Sequence, residues 1–122
     1  MNPLGYDMSV IELPVRHRNE PCCGTTASPK LTKRQTQSLA KALRAVGDET
    51  RLRMLDLIAQ QPEPCCVCDI TPQFDQNQPT VSHHLKLLRD AGLIDTEKRG
   101  IWAFYWATEQ GTDLLAAVAA LA

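Results

Sequence analysis

Apolar residues recur at helical spacing along most of this chain from about residue 32 onward, and at alternate positions in one short stretch near its end. Leu39, Leu43 and Val46 stand at i, i+4 and i+7, which predicts a helix running from Thr32 until Gly47 stops it. Asp48 reads as the N-cap of a second helix, Glu49 to about Gln60, with Leu52, Leu55 and Ile58 facing one way and Pro62 and Pro64 ending it. A short third helix is expected over about Cys66 to Phe74. A fourth opens at Asn77 or Gln78, tolerates Pro79 in its first turn, and turns Val81, Leu85 and Leu88 inward until Gly92. Beyond Gly92 the period falls to two. Leu93 to Glu97 and Ile101 to Trp106 predict a β-hairpin turning at Lys98-Arg99-Gly100, with Trp102, Phe104 and Trp106 on one face. Thr108 then caps a last helix whose apolar face is Leu114, Leu115, Val118 and Leu121. The expected architecture is mostly α with a two-stranded β-wing, in the order helix, helix, helix-turn-helix, wing, helix.

Residues 1–31 show little periodicity and hold four of the eight prolines, so they are expected to form an extended or flexible arm ahead of a domain over 32–122. A length of 122 residues, 43% of them apolar, suits one small domain and leaves no room for a second, catalytic one. The longest apolar run, Leu114 to Ala122, is too short to cross a bilayer, and Asp7, Glu12, Arg16 and Arg18 interrupt any signal-peptide core. A soluble, cytoplasmic protein with no membrane partner is expected. A net charge of −1 does not suit a non-specific polyanion binder, so contact with DNA must come from local patches. Lys30 to Arg53 supplies one, with seven Lys or Arg against Asp48 and Glu49.

Five cysteines fall in two clusters, Cys22-Cys23 in the arm and Cys65-Cys66-Val67-Cys68 before the helix-turn-helix segment. In a reducing cytosol an odd number of closely spaced cysteines points to metal binding or thiol chemistry, not to a disulfide framework. Two thiols at i and i+2 on a helix start are expected to diverge too much to enclose an ion, so a third thiolate has to come from elsewhere, and the arm can supply it.

The fourth helix carries the reading chemistry. A helix fits the major groove of B-DNA, where residues near its N-terminus reach base edges while neighbouring hydroxyls and amides hold phosphates. Gln76, Gln78, Thr80, Ser82 and His83 are the candidates there, with Lys86 and Arg89 as phosphate anchors a turn further on. On periodicity alone the same residues equally describe a solvated helix face. The hairpin tips the balance, because Lys98 and Arg99 at its tip make a basic wing that touches the DNA backbone or minor groove. Trp102, Phe104 and Trp106 read as packing residues, not as base-stacking platforms.

Three segments in order, Ala45-Val46-Gly47-Asp48-Glu49-Thr50-Arg51-Leu52-Arg53, Cys66-Val67-Cys68-Asp69-Ile70 and Gln78-Pro79-Thr80-Val81-Ser82-His83-His84-Leu85-Lys86, together with the wing through Trp102 and Tyr105, resemble the ArsR/SmtB family of dimeric winged-helix metalloregulatory repressors. The resemblance spans roughly Leu31 to Ala122. It implies that Cys66, Cys68 and Asp69 form the cysteine-x-cysteine-aspartate motif on the first helix of the helix-turn-helix. One arsenic-sensing subgroup uses a third cysteine three residues after the second, where this chain has Thr71. Another recruits cysteines from the N-terminal arm, which implies Cys22 and Cys23 here. Cys65 either substitutes for Cys66 or is a bystander. A second zinc site of Asp, His and Glu on the last helix looks absent, because no histidine follows Trp106 and Asp113 alone cannot replace it.

What the resemblance implies is a repressor that binds operator DNA as a homodimer in the metal-free state and lets go when a metal(loid) fills the thiolate site of Cys22, Cys23, Cys66 and Cys68. As(III) and Sb(III) favour a three-thiolate pyramid, whereas Cd(II), Pb(II) or Zn(II) more readily take four ligands. Arsenite is the preferred inducer, with no organic cofactor. A cadmium-, lead- or zinc-sensing repressor and a thiol-based redox-sensing repressor of the same fold are the alternatives. An enzyme is not expected, since no anion-binding loop around a nucleophilic cysteine is present. Leu39, Ala42, Leu43 and Val46 are expected to join the last helix in a twofold interface that a palindromic operator mirrors.

Overall fold

A computed structural model describes Val15 and residues 28–122. Cys22, Cys23 and His17 of the expected arm lie outside the described residues. The unit Leu31–Ala122 is built from α1 (Lys33–Val46), α2 (Glu49–Gln60), β1 (Cys65–Cys66), α3 (Val67–Ile70) with a 3-10 turn over Thr71–Gln73, α4 (Gln78–Asp90), β2 (Ile94–Arg99), β3 (Trp102–Ala107) and α5 (Glu109–Ala119).

Each long helix starts where a short polar side chain can satisfy the free N–H groups of its first turn. Thr32 and Gln35 form a reciprocal capping box on α1. Asp48 Oδ2 accepts from Arg51 N at 3.0 Å, Asn77 Oδ1 from Thr80 N at 3.0 Å, and Thr108 Oγ1 from Gly111 N at 3.1 Å. Gly92 follows α4 at φ 78°, a left-handed residue that lets the chain turn out of the helix into β2.

The core is one apolar cluster in which Met54, Leu55, Ile58, Ile70, Val81, Leu85, Leu88, Leu93 and Ile94 are buried. α1 contributes Ala42, Ala45 and Val46, while Leu39 and Leu43 remain 41% and 50% exposed. The expectation that Ala42 and Val46 share an outer interface with those leucines is therefore corrected, because both lie in the core of the unit. Leu121 likewise falls beyond the end of α5 and is 85% exposed.

The sheet has three strands, in the order β1-β3-β2, where the sequence predicts two. β1 pairs antiparallel with β3 through Cys65↔Tyr105 and Cys66↔Phe104. The hairpin turn also lies elsewhere than expected. Lys98 and Arg99 are the last residues of β2, opposite Ala103 and Trp102, and the connection is Gly100-Ile101 with Gly100 at φ 65°. A left-handed glycine at the first position of a two-residue connection suits the strand twist, so the turn moves one step toward it. The expected helix over Cys66–Phe74 is shortened for a related reason. Pairing with β3 holds Cys66 extended, and the helix begins only at Val67.

α5 approaches the end of α4 closely. Thr108 Oγ1 donates to Gly92 O at 2.6 Å, and a Cβ on Gly111 would collide with the carbonyl of Leu93. That contact needs a glycine.

Candidate functional site

Burial of Val81, Leu85 and Leu88 aims the rest of α4 outward. Gln78, Thr80, His83, Lys86 and Arg89 are exposed, Ser82 is half-buried, and Gln76 is exposed just ahead of the Asn77 cap. The helix thus presents amides, hydroxyls, an imidazole and two cations on one continuous exposed stretch, with Asp90 closing it at the far end. Pro79 lacks an N–H, which costs nothing in a first turn where no intrahelical acceptor waits.

On the hairpin, Lys98 is exposed at the end of β2. Arg99 beside it is engaged within the chain. Its Nη2 lies 3.3 Å from Glu97 Oε2, and its guanidinium carbon stands 5.4 Å from the centre of the Phe104 ring. Ile101 and Trp102 at the turn are 89% and 49% exposed, while Phe104 and Tyr105 pack on the core.

The thiol segment sits one element before α4. Cys66 is the N-cap of α3, with φ −70° and ψ 144°, and its Sγ accepts from Cys68 N at 3.3 Å. Because Cys66 stands outside the helix, its side chain folds back over the first turn toward Cys68. Their Cα atoms are 5.1 Å apart and their sulfurs are joined. The expectation that the two thiols diverge is thus corrected: it assumed helical geometry at both positions, and only Cys68 has it. Cys66 is buried and Cys68 exposed, so the pair opens to solvent on the Cys68 side. Among the described residues no group of three or more His, Cys, Asp or Glu side chains converges as a metal site.

Cys65 is the free cysteine among the described residues. It lines a 330 Å³ pocket with Glu63, Asp69 and Gln73, and burial, then the charge of Asp69, pushes its thiol up from the ordinary range.

In the sequence, Arg51 stands out only as one of the basic residues of Lys30 to Arg53, and His84 only as part of the segment Gln78 to Lys86. Arg51 reaches from α2 to the end of α1 and to His84 on α4. Neither residue breaks the apolar period of its helix, so no sequence signal marks the pair.

Comparison with known proteins matches residues 48–96 to the model of bacterial regulatory proteins of the arsR family. The chain is 40% identical over 73 residues to an uncharacterized HTH-type transcriptional regulator, MJ1325, of Methanocaldococcus jannaschii, covering 60% of this chain and 81% of that protein. It is 45% identical over 60 residues to the arsenical resistance operon repressor of Escherichia coli, covering 49% of this chain and 50% of the repressor. It is 34% identical over 80 residues to the cadmium resistance transcriptional regulatory protein CadC of Listeria innocua, covering 66% of each. The chain thus spans about half the length of the Escherichia coli repressor. The fold matches the homodimeric winged helix-turn-helix DNA-binding domain Mb0332 of Mycobacterium bovis with a TM-score of 0.66 at 24% identity, over 80% of this chain and 89% of that one. Capped helices, a helix with an exposed polar face, a pendant hairpin and these likenesses converge: the chain belongs to the arsR family and is a transcriptional regulator with a winged helix-turn-helix fold.

Proposed function

We propose that this chain represses transcription as a homodimer bound to operator DNA in its metal-free state, and that As(III) or Sb(III) held by cysteine thiolates releases it. The observation that carries the reading is the convergence of the Cys66 and Cys68 sulfurs at the start of α3, one turn and one loop ahead of the reading helix. Reduced, this pair offers two soft donors on one side. Cys22 and Cys23 are the proposed source of the third. Cys66 and Cys68, with a sulfur from Cys22 or Cys23, would hold a trivalent arsenic or antimony ion as soft thiolate donors. Cys68 is exposed and able to meet an incoming sulfur, while Cys66 is anchored by its pairing with Phe104, so closure of the site pulls on α3 and through it on α4. Coupling of about 1–3 kcal/mol is usual for such linkage, and full derepression asks for the upper end.

The dimer is supported by the exposed Leu31, Leu39, Leu43 and Leu121 on or beside α1 and α5, and by the homodimeric Mycobacterium bovis neighbour. A twofold dimer would set its two α4 helices in successive major grooves about 34–36 Å apart. Gln76, Gln78, Thr80, Ser82 and His83 then read bases or hold phosphates, and Lys86, Arg89, Lys98 and Arg99 supply charge. Breaking Arg99 away from Glu97 costs little, since both side chains are more than half exposed. The setting is cytoplasmic, and no helix among the described residues is long and apolar enough to cross a membrane.

A mobility-shift titration tests the reading. Arsenite is expected to release DNA from the reduced protein but not from the Cys66→Ser, Cys68→Ser variant, and equal release from both would remove these thiols from the mechanism. Similarity to a cadmium regulator favours one competing reading, in which Cd(II) or Pb(II) takes four ligands. Parallel titration with cadmium, with X-ray absorption counting sulfurs in the loaded protein, separates three-thiolate from four-ligand sites. Peroxide, with free thiols counted, tests the redox alternative.

A further inference from the structure

Arg51, one cation of the basic stretch Lys30 to Arg53, ties α2, on which it stands, to α1 and α4. Its backbone N–H donates to Asp48 Oδ2, its Nε–H donates to the carbonyl of Ala45 at 2.6 Å, and its Nη1 lies 3.3 Å from Nδ1 of His84. Ala45 belongs to the last turn of α1, where carbonyls lack intrahelical partners. His84 belongs to α4 and is half-buried, beside the core residue Leu85. One rigid guanidinium therefore ties the end of α1 and the reading helix to α2.

A guanidinium donates and never accepts, and it stays charged at any relevant pH. At this contact Nδ1 of His84 must accept, which places the imidazole proton on Nε2 and leaves the ring neutral. We propose that Arg51 and His84 are positioning residues for DNA reading: their hydrogen bond sets the orientation of α4 against α1 and α2, and protonation of His84 releases it. The inference rests on the reading of α4 as the operator-binding helix.

The charges around the contact give it a sign. Arg51 and Asp48 come from α2. Lys41 and Arg44 of α1 line, with Arg51, Leu87 and Asp90, a 300 Å³ groove between α1 and α4. His83 precedes His84 on α4, with ring centres 6.4 Å apart. A protonated His84 loses its acceptor and sets a cation against Arg51, on a side where Lys41 and Arg44 are also positive. Asp48 and Asp90 are the nearby anions, and Asp48 already accepts the Arg51 N–H. The contact therefore breaks on protonation and α4 is freed. His83 acts in the opposite sense, since it is exposed on the reading stretch and a charge there adds attraction for phosphate.

A duplex selected from a randomised pool with the wild-type protein provides the probe, titrated at constant salt between about pH 7.5 and about pH 5.5, a range that spans imidazole protonation. Wild-type affinity is expected to fall roughly tenfold across that range. His84→Asn places an amide oxygen where Nδ1 stands, so it should bind like wild type at the upper pH and lose the fall, holding or gaining affinity as pH drops because His83 remains. His84→Leu and Arg51→Lys should bind roughly tenfold more weakly at every pH. His83→Asn should keep the fall. Affinities of His84→Leu and His84→Asn equal to wild type, with the pH dependence intact, would overturn the proposal and leave the operator reading standing. Nitrogen-15 NMR of the DNA-free protein decides the contact separately: His84 is expected as the Nε2–H tautomer near neutral pH, and a proton on Nδ1 overturns the proposal. If the wild-type protein enriches no duplex, the operator reading fails, and the tautomer still tests the contact.

Discussion

Helix α4 and the thiol turn are neighbours in the chain and opposites in how their shapes are set. α4 carries its own instructions: an Asn77 cap, Pro79 in the first turn, an apolar stripe of Val81, Leu85 and Leu88, and Gly92 to end it. The thiol turn carries almost none. Its strand is two residues long, its helix four, and Cys66 serves as strand residue and helix cap at once. What holds it is β3, a strand some forty residues away in sequence, through pairing of Cys66 with Phe104. A locally specified element sets a rigid face for contact, while an element specified from a distance can shift when its surroundings do.

The largest expected effect on this contrast comes from the core of α4. Leu85→Ala should cost about 2–5 kcal/mol of unfolding free energy in a urea titration, because a fully buried leucine leaves a cavity where three helices meet. Cys66→Ala, also a buried position, should cost only a fraction of that, since it removes a single sulfur atom; a comparable loss would erase the distinction. Next comes Gly111→Ala, which drives a methyl into the Leu93 carbonyl where α5 meets the end of α4. About 1–3 kcal/mol should be lost, visible as a lower Tm.

Asn77→Ala should cost about 1 kcal/mol and weaken DNA binding, because the first turn of α4 holds Gln78 and Thr80. Phe104→Ala should act on the other region. The strand pairing survives, but the ring directly across from Cys66 on β3 is lost, so alkylation of reduced Cys66 should quicken roughly tenfold while the helicity of α4 persists. The smallest effect concerns Asp48. The backbone N–H of Arg51 holds its carboxyl below the ordinary value of 3.8, with the charges of Arg51 and His84 acting the same way against a modest burial cost. A depressed carboxylate stabilises the fold above its unfolded value, and that stability drains away as pH falls through the folded one. The slope of stability against pH below about pH 4 should therefore flatten in Asp48→Asn, measured by denaturant titration at each pH.

Much of this protein is written in its chain. The helices α1, α2, α4 and α5, their caps and the hairpin follow from apolar period, short polar N-caps and glycines, because each depends on contacts within a few residues. The exposed polar stretch of α4 was legible for the same reason: once three positions are buried, the others must face out. Tertiary structure alone decided the rest. It put Ala42 and Val46 of α1 in the core and left Leu39 and Leu43 outside, since helix packing selects which part of a broad apolar stripe is covered. It moved the hairpin turn onto Gly100-Ile101, paired β1 with β3, and so turned Cys66 toward Cys68. It also set Arg51 against His84, residues 33 positions apart, by a hydrogen bond that no periodicity in either helix records.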